Sequence, residues 1–398
     1  MTQTRRHFLQ SSAALAALPL RAFAPSMRAY IGSYSSPQGP EGSIGRGSGI
    51  ILCDIDSTTG QIHQREVFDN PTNPSWLDFG PKSRVLYSAN ETGEYQGASS
   101  GSVSAYAVDA ATGRLTLLNT LPSHGAGPTH LSVHPGGGYV FVANYAGGTV
   151  AVLRLKEDGS LDEVTDVHVD TGIIGPKKAS SAPKGSFAIS GHDRTHAHMI
   201  LPAPGGKFVL WSDLGLDRLL MAPFDKKTGK LGTPRETPLP PGDGPRHFAF
   251  HSNGKWLYSL QEEGSTVARF DYDASTGNLT PRETVSSLPP GFAGTNYTSE
   301  IRIRADGRFL YCANRLHDSI AWFAIAENGR LTWHGETWTR GDYPRSFTID
   351  PSNRFLFSCN QRGDAVTTFR VDRTKGALTF TGHYFPAGTP SIVVFPTA

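Results

Sequence analysis

Apolar and polar residues alternate in short runs along most of this chain, and the runs recur at a regular interval. Each copy holds an alternating strand, usually opened by Pro, then a turn and an aromatic-rich strand ending in Asn, Asp or Gln. Alternation with period two over about six residues is typical of β-strands with one buried face. The copies lie at residues 74–90, 128–144, 196–213, 245–261, 299–314 and 344–360, with a truncated seventh at 390–395.

A second repeat, D-x-x-T-G-x-L, falls between these strand pairs. An Asp or Asn side chain can bond the nearby backbone, and Gly accepts a positive φ, so the motif predicts a tight β-hairpin. Its copies lie at residues 56–62, 109–115, 225–231, 273–279 and 372–378, with looser versions at 158–161 and 328–331. The seven glycines, from Gly60 to Gly376, are 46 to 70 residues apart. That spacing predicts four-stranded blades.

The two repeats together predict an all-β fold, a single seven-bladed β-propeller over residues 28–398. The last copy is truncated, and strands near residues 30–34 and 49–52 would complete its blade. The N- and C-terminal strands are therefore expected to close the last blade, which leaves no exposed sheet edge. Only residues 165–195 lack the repeat, and we expect a long loop there.

Composition agrees with many short strands and restricts the partners. The chain has 398 residues with 44 Gly and 28 Pro, and only 18% are charged, which argues against a coiled coil or a disordered chain. A net charge of +2 provides no basic surface for nucleic acid, so we expect no nucleic-acid partner. Three cysteines cannot form a disulfide framework.

The first residues read as a targeting signal. Arg5 and Arg6 precede a short apolar run at residues 13–20, followed by small residues up to Ser26. This arrangement predicts a twin-arginine (Tat) signal peptide over residues 1–26, because the apolar run is too short for a membrane span. Pro25 would hinder cleavage after Ala24, which favours a cut after Ser26. The protein is thus expected in the periplasm or outside the cell, exported already folded.

The candidate chemistry lies where the repeats stop agreeing. Positions near the start of each innermost strand, and just after the strand-ending Asn or Asp, diverge toward charge and are available to bind a ligand. Arginines there suit carboxylates or phosphates, whereas His and Glu suit proton transfer. The strand-start set is His196, His198, Arg246, His247, Glu300, Arg302 and Arg345, and the loop set is Asp217, Arg218, Glu262, Arg315 and Arg362. We expect several of these arginines to converge on a small central cleft.

Other interpretations remain open for some of these residues. His196 and His198 would share a strand face and could bind a metal, but no third ligand stands out, so we predict no metal and no cofactor. The group Arg246, Glu262 and Arg315 could instead form inter-blade salt bridges. His130, His134 and His251 sit at or beside turns and are expected to be structural or solvent-facing. Nucleophile-elbow, P-loop and dinucleotide motifs are absent from the sequence.

Several segments resemble the seven-bladed propeller lactonase family, which includes the propeller type of 6-phosphogluconolactonase and carboxy-cis,cis-muconate cyclase. They are YIGSYS, THAHMI…DLGLDRL, GPRHFAFHSNGKWLYSLQE, SEIRIRADGRFLYCANRLHDSIAWF and PRSFTIDPSNRFLFSCNQ. The resemblance covers residues 28–398. It implies a site at the channel mouth made of His198 (or His196), Arg246, Glu262 and Arg315. Gln261 stands where the family usually has Asn, and Leu316 where Gly is common, which could narrow the pocket.

The resemblance implies a metal-independent lactonase, a carboxylic ester hydrolase acting on a small anionic or sugar lactone. Arg246 and Arg315 would bind the substrate's anionic group or the developing oxyanion, and Glu262 or His198 would transfer the proton. His196, His247, Glu300, Arg302 and Arg345 are expected to bind substrate. Export favours an unphosphorylated aldonolactone over the 6-phosphate. The alternatives are a non-catalytic propeller that binds a sugar acid or a protein, and a muconate-type lactonising cyclase.

Overall fold

The structure is a computed structural model that describes residues 26–396, so the predicted signal peptide lies outside the described residues apart from Ser26. Regular structure in this range consists of short strands and two three-residue 3-10 helices. The elements are β1 (Ser26–Ser33), β2 (Gly49–Asp56), β3 (Ile62–Asp69), β4 (Pro74–Phe79), β5 (Val85–Asn90), β6 (Ser102–Val108), β7 (Leu115–Pro122), β8 (Pro128–Val133), β9 (Tyr139–Asn144), β10 (Thr149–Leu155), β11 (Leu161–Val169), β12 (Ser186–Phe187), β13 (Ala197–Pro202), β14 (Phe208–Asp213), β15 (Arg218–Asp225), β16 (Lys230–Leu231), β17 (Arg235–Pro238), β18 (Pro245–Phe250), β19 (Trp256–Gln261), β20 (Thr266–Asp273), β21 (Asn278–Ser286), β22 (Gly294–Thr295), β23 (Thr298–Ile303), β24 (Phe309–Asn314), β25 (Ser319–Ile325), β26 (Leu331–Trp338), β27 (Pro344–Ile349), β28 (Phe355–Asn360), β29 (Ala365–Val371), β30 (Leu378–Pro386) and β31 (Pro390–Val394), with 3-10 helices at Pro40–Gly42 and Pro81–Ser83.

Seven antiparallel sheets form the blades, which confirms the predicted propeller. Six are built from consecutive strands: β4–β7, β8–β11, β13–β17, β18–β21, β23–β26 and β27–β30. The seventh has the order β3-β2-β1-β31, with Tyr30 paired to Val394 and Ile31 paired to Val393. The C-terminal strand is therefore the innermost strand of a blade whose other three strands come from the N-terminus, as the truncated repeat predicts.

The innermost strands of the seven blades form a closed ring. In order they are β4, β8, β13, β18, β23, β27 and β31, each contacts the next, and β31 contacts β4. Closure protects the sheet edges that an open array would leave exposed.

The predicted hairpin turns have the expected geometry and also join neighbouring blades. Gly60 has a φ of 78°, and the Asp56 carboxylate accepts the backbone N–H groups of Thr58 and Thr59. A Cβ at Gly60 would lie 2.6 Å from the Phe355 ring of the neighbouring blade. Two independent reasons therefore require Gly at this position: the left-handed backbone and the close approach of the ring.

Apolar residues of facing blades bury one another. Phe141 and Val152 of one blade pack with Ile200 and Trp211 of the next in a single buried cluster. Successive residues of each strand point to opposite faces of the blade, so the core continues around the ring. The three cysteines are buried and free.

A long connection, residues 170–195, crosses the rim and is called the strap below. The loop was expected from residue 165, but β11 continues to Val169. The strap contains β12, which pairs in parallel with β22. The Tyr297 hydroxyl also accepts the N–H of Ile189 and donates to its carbonyl. Backbone and side-chain bonds therefore fix the strap to the neighbouring blades.

Among residues 26–396, no helix has the length and apolar character needed to cross a membrane.

Candidate active site

The second and third residues of the seven innermost strands stand at two successive levels of the channel, and most of them line it. The second residues form the upper layer and the third residues the layer below it, because a strand rises about 3.3 Å per residue. The upper layer is Ser75, Thr129, His198, Arg246, Ser299, Arg345 and Ser391, and the lower layer is Trp76, His130, Met199, His247, Glu300, Ser346 and Ile392. The second position of the innermost strand is thus Ser in three blades and Arg or His in three others.

One carboxylate joins two of the predicted arginines. Glu262 follows the last residue of β19, and Arg315 follows the last residue of β24. The Arg246 Nε lies 2.8 Å from Glu262 Oε2, and Arg315 Nη2 lies 2.6 Å from Glu262 Oε1. The sequence prediction that these residues converge agrees with this geometry. They form an inter-blade ion-pair cluster, in which Glu262 lines the cleft, Arg246 lines the recess that continues from it, and the buried Arg315 contacts Glu262.

Backbone carbonyls fix both guanidinium groups, and an aromatic ring also packs against that of Arg315. Arg246 Nη1 donates to the Ser299 carbonyl, and Arg315 Nη2 donates to the Thr298 carbonyl at 3.2 Å. The Arg315 guanidinium also lies 5.0 Å from the centre of the Tyr297 ring. Contacts of these kinds orient a guanidinium before any ligand arrives.

The cluster concentrates positive charge in a buried place. Burial, with Arg345 and Arg315 nearby, lowers the pKa of Arg246 to about 10, and Glu262 opposes the shift. Arg246 therefore remains a cation at neutral pH. A buried cation with other cations near it favours an anion in the same place.

Glu91, which the sequence analysis missed, lies across the cleft from this cluster. It follows the strand-ending Asn90 of β5, the same repeat position that Glu262 occupies after Gln261. The Tyr34 hydroxyl donates to Glu91 Oε2 at 2.9 Å and the Ser75 hydroxyl at 2.6 Å. Arg345 Nη2 is 3.8 Å from Glu91 Oε1. Burial raises the pKa of Glu91, and Arg345 and the two hydroxyls only partly offset it.

His198 is a neutral imidazole in the cleft wall. Its ring is buried, and within residues 26–396 its Nδ1 atom has no hydrogen-bond partner. Burial, reinforced by Arg246 and His247, lowers its pKa well below 6.5. The ring centre of Tyr145 lies 5.3 Å away, and Tyr145 also follows a strand-ending Asn.

The lower layer forms the floor of the cleft. His247 Nδ1 lies 3.3 Å from Glu300 Oε1, and both side chains are buried. Burial is the main reason that the pKa of His247 falls to about 4. Burial alone would raise the pKa of Glu300, but Arg302 and then His247 outweigh it and lower it. His130 also belongs to this layer, buried with its ring centre 4.4 Å from that of Trp76, so it lies within β8 and its expected place beside a turn is wrong.

Two predicted substrate-binding residues lie away from the cleft. His196 precedes β13; its Nδ1 contacts the Tyr145 carbonyl at 2.9 Å and its Nε2 contacts Asp193 at 2.7 Å. Its ring stacks on Tyr145, so His196 and His198 do not face one common metal position. Arg302, two residues below Glu300 on the same strand, lines the opposite mouth of the channel and lies 5.7 Å from the Trp76 ring.

The remaining loop candidates have structural partners. Asp217 accepts from His192 beneath the strap, and Arg218 lies 3.5 Å from Glu236. Arg362 stacks 3.7 Å above the Tyr343 ring. Leu316, expected to narrow the pocket, does not line the cleft.

The cleft at the channel mouth has a volume of about 320 Å³. It suits a small molecule rather than a macromolecule. Glu91, His198, Glu262 and Arg345 face it, together with Thr129, Tyr145 and residues 38–40, 92–93, 127 and 146. A smaller recess continues inward past His198 and Arg345 to Arg246 and His247.

A closed seven-bladed ring with cationic and acidic side chains at one mouth defines a class of small-molecule propeller proteins. The chain belongs to the lactonase family with the seven-bladed β-propeller fold, whose family model matches residues 28–395. This result confirms the resemblance drawn from the sequence.

Named relatives agree with the family. A 6-phosphogluconolactonase of Bacillus subtilis is 31% identical over 351 residues, covering 88% of this chain and 93% of the relative. A 6-phosphogluconolactonase of Formosa agariphila is 29% identical and covers 83% and 91%. Among solved structures, a periplasmic gluconolactonase of Pseudomonas aeruginosa is similar with a TM-score of 0.80 and 28% identity, covering 94% of this chain and 99% of that one.

Proposed function

We propose that this protein is a lactonase that hydrolyses a sugar-acid lactone in the channel-mouth cleft. The observation that carries the proposal is the buried cluster of Arg246, Glu262 and Arg315 beside Arg345, in a chain of the lactonase family. Fixed cations in a recess suit the negative charge that develops on a lactone carbonyl oxygen during attack by water. The names of the relatives support the same chemistry.

In this mechanism the arginines act mainly through their fixed positions. Arg246 and Arg315 already have their geometry set by carbonyls and by Glu262, so little reorganisation is needed when the oxyanion forms. His198 lines the cleft and its ring is neutral, so it can hydrogen-bond the substrate without adding a charge. Water attacks the carbonyl carbon, the ring C–O bond breaks, and the products are a hydroxyl and a carboxylate.

The charges of the cleft favour a lactone without a phosphate group. In the larger part of the cleft, Arg345 faces two carboxylates, Glu91 and Glu262. The arginines around the recess suit the single charge of an oxyanion, whereas a phosphate in the larger part would add up to two negative charges close to both acids. The structural relative named a periplasmic gluconolactonase supports the same substrate class. The substrate proposed is therefore an unphosphorylated aldonolactone.

Activity is tested by pH-stat titration of the purified protein with δ-gluconolactone, its 6-phosphate and a muconate. The proposal expects acceleration over the spontaneous rate, with δ-gluconolactone preferred to the 6-phosphate. Turnover of the muconate alone would indicate the cyclase. If no lactone is opened faster than in buffer, the protein is a binding propeller.

We also propose export to the periplasm through the twin-arginine route, on the basis of Arg5, Arg6 and the short apolar run. Cell fractionation tests this directly. Changing both Arg5 and Arg6 to Lys is expected to retain the protein in the cytoplasm. An unchanged distribution would rule out this route.

A further inference from the structure

Glu91 differs from Glu262 in how its carboxylate is held. Both oxygens of Glu262 are ion-paired with guanidinium groups, at 2.8 and 2.6 Å. Each pair uses one lone pair of its oxygen and places a fixed positive charge directly against it. Glu91 Oε2 instead accepts from two neutral hydroxyls, and the Arg345 nitrogen is 3.8 Å from Oε1. Glu91 is therefore the acid of the cleft whose carboxylate is less tightly held by cations.

His198 is also poorly suited to take the proton. Four charged or titratable neighbours, Arg246, His247, Arg345 and Arg315, oppose a positive charge on its ring, in addition to burial. A protonated His198 would be one more cation beside three arginines. A carboxylate that gains a proton becomes neutral instead, and protonation of Glu91 leaves the two ion pairs of Glu262 with Arg246 and Arg315 in place.

The backbone at Glu91 is fixed from two directions. The Glu91 N–H donates to the Asn73 carbonyl at 2.8 Å, and Asn73 Nδ2 donates to the Glu91 carbonyl at 2.9 Å. Asn73 is fully buried, and its side-chain oxygen accepts the Ser35 N–H at 2.8 Å. Because Ser35 follows Tyr34, the same network positions both the acid and the phenol that donates to it. Rigid support of this kind is typical of a reacting group.

We propose that Glu91 is the proton carrier of lactone hydrolysis, a catalytic residue opposite the arginine cluster. This inference rests on the proposed lactonase function. The Glu91 carboxylate removes a proton from water as the water oxygen bonds to the lactone carbonyl carbon. When the tetrahedral intermediate collapses, the ring C–O bond breaks and Glu91 returns that proton to the departing ring oxygen. Glu91 is again ionised, and the new carboxylic acid loses its own proton to solvent.

Three proteins test the assignment: wild type, Glu91→Gln, and the control Glu94→Gln, which removes an exposed acid three residues away in the same loop. Initial rates of δ-gluconolactone opening are measured by pH-stat from pH 5 to 8, and gluconate binding by calorimetry. We expect Glu91→Gln to lower kcat by about 10²-fold, the usual range for losing an acid–base group. The acidic limb of the kcat profile should disappear, with gluconate affinity changed less than threefold. Glu94→Gln should match wild type.

A second variant separates chemistry from folding. Glu91→Ala leaves room for a small acid, so added formate should restore part of its lost kcat, while acetamide at the same concentration should not. The proposal is overturned if wild type is active and Glu91→Gln keeps its kcat and its acidic limb. It is also overturned if the loss of rate in Glu91→Gln matches a loss of gluconate affinity and formate restores nothing in Glu91→Ala. An inactive wild type would instead overturn the proposed lactonase function, and with it this role.

Discussion

The Nδ1 atom of His192 lies 3.1 Å from Oε1 of Glu263, and this contact connects the strap to the residue that follows Glu262. The other ring nitrogen lies 3.0 Å from Asp217 Oδ1, so the imidazole sits between two buried carboxylates. The Gly191 N–H also donates to Glu263 at 2.7 Å. The strap therefore supports the backbone that carries Glu262 into the cleft.

This contact predicts a stability that declines in alkaline solution. Burial alone would lower the pKa of His192, but the bonds to Asp217 and Glu263 raise it to about 9. A raised histidine pKa stabilises the fold fully below the unfolded value of about 6.5, and the contribution is lost as the pH rises through about 9. His192→Gln should therefore lower the melting temperature by a few degrees at pH 6.5 and by much less at pH 9.5.

Thermal unfolding between pH 6 and 10 measures the difference, with His63→Gln, on the exposed face of β3, as the control. If His192→Gln lowers the melting temperature equally at pH 6.5 and at pH 9.5, the charge of the imidazolium contributes nothing to stability.

Asp170 and Asp213 form a second buried group, in which two carboxyl side chains contact each other. Burial raises the pKa of Asp170, and Asp213, to which it is hydrogen-bonded, raises it further. Trp211 Nε1 donates to Asp170 at 3.0 Å. A carboxyl with a raised pKa favours folding at low pH, and this contribution is lost as the pH rises from about 4 through the folded value. An amide in place of Asp170 keeps a donor toward Asp213 and does not ionise.

We therefore expect Asp170→Asn to gain stability relative to wild type as the pH rises from 5 to 9. Denaturant unfolding at several pH values measures the change, and Asp162→Asn, an exposed acid on the same strand as Val169, serves as the control. A constant difference between Asp170→Asn and wild type across this range would show that Asp170 is ionised at pH 5.

Glu262→Gln should lower kcat/KM for δ-gluconolactone by about 10²-fold. Glu262 orients the two arginines, and a neutral amide would no longer hold Arg246 and Arg315 together. Two buried cations without a counter-ion also destabilise the folded site. The pH profile should keep its acidic limb, unlike that of Glu91→Gln. Glu163→Gln, which removes an exposed ion-paired acid, is the control. Loss of the acidic limb in Glu262→Gln would instead make Glu262 the proton carrier.

The fold could be predicted from the sequence because each blade needs the same residues at the same places. The turn motif at Asp56 and Gly60 and the strand-ending Asn recur for local backbone reasons, so seven copies are visible without any structure. The closure by β31 and β1 also follows, because a truncated copy at one end needs its missing strands from the other.

The site was predicted only in part, and the misses have physical causes. His196 and Arg302 belong to the right segments, but β13 begins after His196, and Arg302 lies three residues further down the channel than Arg246. Glu91 and Tyr145 occupy the position that identified Glu262 and Arg315, so the repeat alignment held the signal for them. Tyr34 had no such signal, because its contact with Glu91 depends on a loop from another blade.

The kcat/KM of Arg246→Ala for δ-gluconolactone tests the central claim most directly. Arg246 belongs to the upper layer of the channel and contacts Glu262 and Ser299. Its replacement therefore tests directly whether the reaction takes place in this cleft. The account predicts a loss of about 10²-fold or more, with Arg114→Ala, on an exposed hairpin turn, unchanged. A folded Arg246→Ala protein that opens the lactone as fast as wild type would place the reaction outside this cleft.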